Sequence, residues 1–183
     1  MSKGDDDVNW DTHWAEHSNE VDYSSLLALD YFADLLPKDF KVLDIGCGPC
    51  KFYPVFKLAG CSEYVGVDFS TVAIEQARKK FPTLTALLMR ADEINFNSAF
   101  DLAFCCTFLQ HTNIETKKKL FPRVQKALKP DGIWVFQEKD DVETSTTFLK
   151  ENWIKFTESF GFKIVRTTPE GDGRNGFVFK VVK

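Results

Sequence analysis

Short apolar segments that alternate with amphipathic segments constrain the fold of this chain most strongly. The five apolar segments in the first three quarters of the chain are 41–45, 64–68, 85–90, 101–106 and 133–137. Each is short and rich in residues that favour strands, and the segments between them have helical periodicity. Strands that alternate with helices are joined by right-handed crossovers, so the pattern predicts a parallel sheet covered by helices on both faces.

The segments between the strands carry recognisable helix ends. Ser70 or Thr71 is suited to cap one helix, and Gly60 and Gly161 are suited to end two others. Pro122 lies inside a further helix and is expected to bend it. The predicted helices are 22–36, 50–59, 71–80, 114–129 and 148–160.

Two strands are predicted after the last helix. They span 163–167 and 177–182, and the glycines of the link 170–176 make them antiparallel neighbours. The chain is therefore predicted to form an α/β fold, a doubly wound, mostly parallel seven-stranded sheet of the Rossmann-like kind with an antiparallel last strand. We expect one domain over 22–183, preceded at 1–21 by a tail that acts as a lid.

Composition narrows the class of protein. The net charge of -4 argues against a partner bound through its phosphates, such as nucleic acid. No apolar run reaches the ~20 residues that span a bilayer, and the first ten residues lack the apolar stretch of a secretory signal. The cysteine count is five, and Cys105 and Cys106 are adjacent, which favours reduced thiols. We expect a cytoplasmic protein that does not interact with membranes.

Glycines and acids follow the predicted strands, at the sheet edge where such folds bind ligands. Gly46 and Gly48 lie in the turn after the first strand, where they allow a ligand to approach the backbone. Asp68 ends the next strand about 20 residues further on, where a carboxylate accepts the hydroxyls of a ribose. Asp92 follows the third strand and is placed to meet an adenine amino group.

Five sequence motifs carry a resemblance to a known family. They lie in order between residues 42 and 138, within a resemblance that covers residues 36–182, and read VLDIGCGPC, GVDFS, RADEINF, FDLAFCCTFLQHTN and LKPDGIWVFQE. In these motifs the chain resembles the class I S-adenosylmethionine-dependent methyltransferases. The resemblance implies an enzyme that binds S-adenosylmethionine and transfers its methyl group to an acceptor.

The resemblance also implies which residues bind the cofactor. The turn residues would face the methionine part of S-adenosylmethionine, and Cys105 would hold the amino acid end of the cofactor through its backbone. Asp68 would bind the ribose, and Phe69 would lie against the adenine. The full set is Asp44, Gly46, Cys47, Gly48, Asp68, Phe69, Asp92, Glu93 and Cys105. Cys50 stands where the family usually has a third glycine. We expect Cys50 in the first helical turn, where a side chain is tolerated, rather than at a positive φ.

The acceptor side of the site has one candidate base and four candidate binding residues. His111 follows the fourth strand, and it either removes a proton from the acceptor or makes a structural hydrogen bond. The candidate acceptor-binding residues are Trp14, Tyr23, Gln110 and Glu138. The fourth strand is followed by CCTF rather than by the Asn/Asp-Pro-Pro-aromatic tetrapeptide of enzymes that methylate exocyclic or amide nitrogens, which disfavours those substrates. A small-molecule acceptor is expected, with a protein or peptide acceptor and a non-catalytic S-adenosylmethionine-binding protein as alternatives.

Two further motifs suggest other chemistry. The segment Cys47-Gly48-Pro49-Cys50 matches the thioredoxin redox motif, but no Trp precedes it and a redox function leaves Asp68 unexplained. His13 and His17 match the H-x-x-E-H zinc pattern. They lie near the start of the chain with no other histidine before His111, so we expect a polar helix face and no metal site.

Overall fold

Seven hydrogen-bonded strands form one sheet at the centre of the molecule. The computed structural model describes residues 8–17, 31–139, 147–168 and 174–182. The strands are β1 (Lys41–Ile45), β2 (Glu63–Asp68), β3 (Thr85–Leu88), β4 (Phe100–Cys106), β5 (Leu128–Lys139), β6 (Phe162–Thr167) and β7 (Arg174–Val181). Their order across the sheet is β3-β2-β1-β4-β5-β7-β6.

The strand directions confirm the predicted fold class. Strands β1 to β5 are parallel to one another, whereas β7 runs antiparallel to both β5 and β6. The strand order reverses beside β1, which has β2 on one side and β4 on the other. In a sheet of this kind the crevice beyond the carboxyl ends of the strands at this reversal is the usual ligand site.

Helices cover both faces of the sheet. They are α1 (Trp10–His17), α2 (Tyr53–Leu58), α3 (Thr71–Lys80), α4 (Ile114–Ala127) and α5 (Lys150–Glu158). Phe56 of α2 and Ile74 of α3 pack in the apolar cluster on one face, and Phe121 of α4 and Trp153 of α5 pack in the cluster on the other. Among the helices that the structure describes, none is long and apolar enough to cross a membrane.

The observed helix ends agree with the predicted ones where a capping side chain fixes them. The Ser70 hydroxyl accepts a hydrogen bond from the Ala73 N–H and starts α3 at the predicted position. The predicted start of α2 at residue 50 is wrong: the helix begins at Tyr53, with Pro54 in its first turn, where the missing N–H of proline costs nothing. Most of the predicted helix 22–36 lies outside the described residues, and only a short 3₁₀ turn at Ala33–Leu35 is described.

Residues 130–132 separate the predicted helix 114–129 from the predicted strand 133–137, but in the structure they lie within β5. Leu128 already pairs with Phe100, whereas Ile133 pairs with Leu102, so the intervening residues of β5 bulge out of the ladder. Asp131 has a φ of 68°, the left-handed conformation for which Asp-Gly sequences are suited. The same residues therefore make a bulge that interrupts β5 without ending it.

Helix α1 is attached to the rest of the fold through α3. The Asp11 carboxylate accepts hydrogen bonds from the Ser70 hydroxyl at 2.6 Å and from the Val72 N–H at 3.2 Å. The Gln76 amide donates to the Trp14 carbonyl at 3.0 Å. Because Ser70 follows β2 directly, these bonds hold α1 at the carboxyl edge of the sheet.

Candidate active site

The turn after β1 has a backbone conformation that favours glycine. Gly46 and Gly48 have φ values of 67° and 52°. A Cβ atom built on Gly46 would overlap the ring of Phe108, and one built on Gly48 would lie 2.6 Å from the ring of Trp14. Both glycines are thus required by conformation and by space, because an aromatic ring lies against each.

Cys50 also has a left-handed backbone, and the expectation of a helical conformation there is wrong. Its φ is 57°, which costs a non-glycine residue about 1–2 kcal/mol. The thiol groups of Cys47 and Cys50 lie 3.6 Å apart, and a Cβ on Gly66 would lie within 2.9 Å of both. The sulfur atom of Cys50 therefore fills space that Gly66 leaves open beside the turn.

The environment of this cysteine pair opposes redox chemistry. Both side chains are buried, and all five cysteines of the chain are free. Burial raises the pKa of the Cys47 thiol, and the neighbouring Cys50, Asp44 and Asp68 groups raise it further. A redox cysteine needs an electropositive environment that stabilises the thiolate, and Cys47 has the opposite.

Asp44 is a buried acid beneath the glycine turn. The Tyr64 hydroxyl donates a hydrogen bond to its Oδ2 atom at 2.5 Å. Burial raises the pKa of Asp44 to about 7, against the effect of the Tyr64 hydrogen bond, and the nearby Asp68 charge adds to the rise. The side chain is directed into the protein, where it supports the turn from below.

Asp68 connects the turns that follow β1 and β2. Its Oδ2 accepts the Gly48 N–H at 2.8 Å and its Oδ1 accepts the Ser70 N–H at 2.9 Å. Burial raises the pKa of Asp68, while these backbone hydrogen bonds act in the opposite direction. A carboxylate has about four acceptor sites, so two bonds leave capacity for the hydroxyls of a ligand. Phe69 follows with about half of its surface exposed.

The remaining predicted cofactor residues follow β3 and end β4. Asp92 and Glu93 lie in a 3₁₀ turn, where the Arg90 guanidinium donates to the Asp92 carboxylate at 3.2 Å. The Met89 N–H donates to the Asp68 carbonyl at 2.9 Å, which keeps this turn beside β2. Cys105 is fully buried near the carboxyl end of β4, and burial raises the pKa of its thiol. The fold thus brings all of the predicted cofactor residues to one end of the sheet.

The loop after β4 carries two of the predicted acceptor-side residues. A 3₁₀ turn spans Leu109–His111, after Thr107 with a φ of 51°. The Nε2 atoms of Gln110 and His111 lie 3.0 Å apart. The His111 ring meets the ring of Trp10 edge to face, with 5.2 Å between the centroids.

Glu138 binds the backbone of the loop that follows β4. It is fully buried at the end of β5, and its carboxylate accepts the N–H groups of Phe108, Leu109 and Gln110 at 3.0, 2.7 and 3.0 Å. Burial raises its pKa to about 7, against the effect of these hydrogen bonds and of a nearby lysine charge. The expectation that Glu138 contacts the acceptor directly does not fit this geometry, in which its oxygens bind backbone.

Aromatic residues of α1 lie over the glycine turn and the β4 loop. The Trp14 ring faces Gly48, and Trp10 packs against Trp14 at 6.5 Å between centroids as well as against His111. Tyr23, the other predicted residue of this segment, lies outside the described residues.

The two histidines of α1 interact with each other. Their rings stack at 4.6 Å between centroids, and the Nδ1 atom of His17 lies 2.9 Å from the carbonyl oxygen of His13. Within the described part of the chain, no group of three or more His, Cys, Asp or Glu side chains is arranged to hold a metal ion.

Sequence reasoning missed two charged residues near the site. Asp11 attaches α1 to α3, and no local pattern signals that long-range contact. Lys117 is fully buried in α4. It precedes Leu120, Phe121 and Val124 by three, four and seven residues, so helical spacing alone places it on the apolar face.

Comparisons with known proteins agree with this fold. Residues 42–132 match the family model described as a methyltransferase domain. No match was found among curated proteins.

Several solved structures share the fold. A TehB-like S-adenosylmethionine-dependent methyltransferase from Corynebacterium glutamicum has 17% identity and a TM-score of 0.75, with 94% of this chain and 96% of that chain covered. One from Mesorhizobium loti has 17% identity and a TM-score of 0.72, with 89% and 99% covered. One from Methanosarcina mazei has 15% identity and a TM-score of 0.73, with 81% and 95% covered. The family match, the sheet order and the residues gathered at its carboxyl end agree, and the chain belongs to the class I S-adenosylmethionine-dependent methyltransferases.

Proposed function

We propose that this methyltransferase acts on a small-molecule acceptor, bound between α1 and the loop that follows β4. One observation carries the proposal: α1 lies across the carboxyl edge of the sheet, with Trp14 against Gly48 and Trp10 against His111. A site covered in this way has little room for a protein chain. It suits a compact acceptor that the aromatic rings enclose.

The cofactor roles that we assign rest on the chemistry of the residues present. The turn at Gly46 and Gly48 has the left-handed backbone that suits a ligand-binding turn, and Asp68 retains acceptor capacity for ribose hydroxyls. The exposed ring of Phe69 offers an apolar face for a base. Asp92, Glu93 and the Cys105 backbone complete the proposed set, which therefore fits S-adenosylmethionine. When bound, this cofactor supplies a methyl group already activated by its sulfonium.

The side chains on the acceptor side have two tasks. The rings of Trp10, Trp14 and Phe108 exclude water and provide a weakly polar surround, which favours a transfer that disperses positive charge. The Gln110 side chain lies against Nε2 of His111 and holds the imidazole in place, which leaves Nδ1 as the ring nitrogen that accepts a proton from the acceptor. Residues 1–21 then act as the lid of the domain 22–183.

A labelling experiment tests the acceptor class. The protein and S-adenosylmethionine with a tritium-labelled methyl group are incubated with a cell extract that has been separated into metabolite and protein fractions. Label in the metabolite fraction supports the proposal, and Asp68→Ala is the matched control that is expected to transfer none. Label that appears in the protein fraction alone would establish a protein or peptide acceptor instead.

A further inference from the structure

Two fully buried charges lie at opposite ends of the short turn that carries Gln110 and His111. We propose that Glu138 and Lys117 act together as positioning residues, which hold this turn and through it the side chains of Gln110 and His111 at the acceptor. The inference deepens the proposed function and rests on its placement of the acceptor beside His111.

Glu138 holds the beginning of the turn. Its Oε1 accepts the N–H groups of Phe108 and Leu109, and its Oε2 accepts the N–H of Gln110. These are the N–H groups that a 3₁₀ turn starting here leaves without a partner inside the turn. One carboxylate therefore fixes the backbone of three consecutive residues, up to the residue before His111.

Lys117 holds the end of the same turn. Its ammonium group donates to the carbonyl of Thr112, the residue that directly follows the turn. The ammonium also lies 5.5 Å from the ring centroids of both Phe148 and Trp153, which gives the buried cation two aromatic faces. Lys117 is on α4, whose cap at Asn113 follows Thr112 directly, so the helix anchors its own entry loop.

The signs of the two charges match the polarity of the turn. The anion is at the end where N–H groups point outward, and the cation is at the end where carbonyl groups do. Fully buried Glu and Lys side chains are rare unless they are paired, and apolar residues would fill the same space at less cost in desolvation. Positioning of a functional loop accounts for their use here better than stability does.

The backbone of the loop needs such support. Thr107, at the entry to the loop, has a φ of 51°, which is unfavourable for a β-branched residue. Its N–H bonds to the Gln137 carbonyl at 2.8 Å, next to Glu138. Thr107, the strained residue, lies at the entry to the same loop whose turn Glu138 and Lys117 bind at its two ends. Removal of either charge is therefore expected to release the turn.

The test uses the full chain, S-adenosylhomocysteine as the probe ligand, and Glu138→Gln and Lys117→Met as the variants. The matched controls are Glu63→Gln and Lys118→Met, whose native side chains are exposed. Nuclear magnetic resonance of isotope-labelled histidine reports the ring of His111, which is one of three histidines in the chain and is assigned by its absence in His111→Gln. Calorimetry reports the affinity for S-adenosylhomocysteine.

We expect both variants to shift or broaden the His111 signals while the affinity for S-adenosylhomocysteine stays at the native value, and both controls to change neither. Unchanged His111 signals in folded variants would overturn the inference, as would a loss of ligand affinity at least as large as that of Asp68→Ala. If either variant does not fold, Glu138→Asp and Lys117→Arg keep the charges but displace the carboxylate and the cationic group from the backbone groups that they bind, so native His111 signals in both would equally overturn it. The proposed function fails separately, if the labelling experiment places the label in the protein fraction alone, and the proposed role of His111 as the base fails if His111→Gln transfers methyl groups at the native rate.

Discussion

The contact between Trp14 and Gly48 can be measured as an interaction free energy. Gly48→Ala adds a Cβ at a φ of 52°, which costs about 1–2 kcal/mol, less the ~0.4–1 kcal/mol gained from a stiffer unfolded chain. The new Cβ would also lie 2.6 Å from the Trp14 ring, and such overpacking typically adds about 1–3 kcal/mol. In a Trp14→Ala background that overlap is gone, so only the backbone cost is expected to remain.

The chain offers a matched control for the backbone cost. Gly60 has a φ of 94°, and a Cβ built there would have no atom within 4 Å. Gly60→Ala therefore carries the conformational cost without the overlap, and it is expected to destabilise the protein equally with and without Trp14.

Urea unfolding of the native protein, the single variants and the double variants gives these free energies. The expected result is a coupling of about 1–3 kcal/mol between Trp14 and Gly48, and none between Trp14 and Gly60. Equal costs of Gly48→Ala in both backgrounds would refute the placement of α1 over the glycine turn. The proposed enclosure of the acceptor would then lose its main support.

Four further predictions concern the cofactor, the thiols, the pH dependence and the lid. Asp68→Ala should weaken S-adenosylhomocysteine binding by about 10- to 100-fold in calorimetry, because buried donors lose their acceptor; native affinity would remove Asp68 from the site. Serine at both Cys47 and Cys50 should preserve that binding, and the native protein should not reduce insulin disulfides. Burial raises the pKa of Glu138 to about 7 in the folded state. The contribution of Glu138 to the free energy of unfolding should therefore be highest at low pH and should fall by roughly 3 kcal/mol as the pH rises from the unfolded-state pKa of Glu138 towards 7. Glu138→Gln should flatten the urea stability profile over that range, and an unchanged profile would contradict the assignment. Removal of residues 1–21 should abolish transfer and weaken cofactor binding while circular dichroism shows a folded domain; native binding by the truncated protein would rule out the lid.

The order of the elements could be predicted because local and global signals agree in this chain. The strand at 41–45 is apolar at Val42, Leu43 and Ile45 and is buried over its last four residues, as a parallel strand covered on both faces requires, and the turn after it contains glycines at positions with a positive φ. Ser70 marks the start of α3 by a side-chain hydrogen bond that involves only neighbouring residues. Signals of this kind depend on short stretches of sequence, so they can be interpreted without the fold.

The errors arise where distant residues decide the conformation. Cys50 adopts a positive φ beside a gap that Gly66 leaves on the adjacent strand. Glu138 directly follows the predicted strand 133–137, but the periodicity of a strand does not say whether the side chain meets a ligand or the neighbouring loop. The attachment of α1 through Asp11 joins positions separated by 59 residues, which no local pattern reveals.

A chain of hydrogen bonds links α1, part of the proposed lid, to the turn after β1. Asp11 accepts from the Ser70 hydroxyl, the Ser70 N–H donates to Asp68, and Asp68 accepts the N–H of Gly48, on which the Trp14 ring lies. The two contacts of α1 therefore reach the same carboxylate from opposite sides, one through Ser70 and one through Gly48. A ligand whose hydroxyls bind Asp68 fixes the turn against which α1 packs, and a docked α1 fixes the carboxylate that the ligand needs. Cofactor binding and closure of the acceptor site are thus expected to strengthen each other, since each orders groups that the other uses.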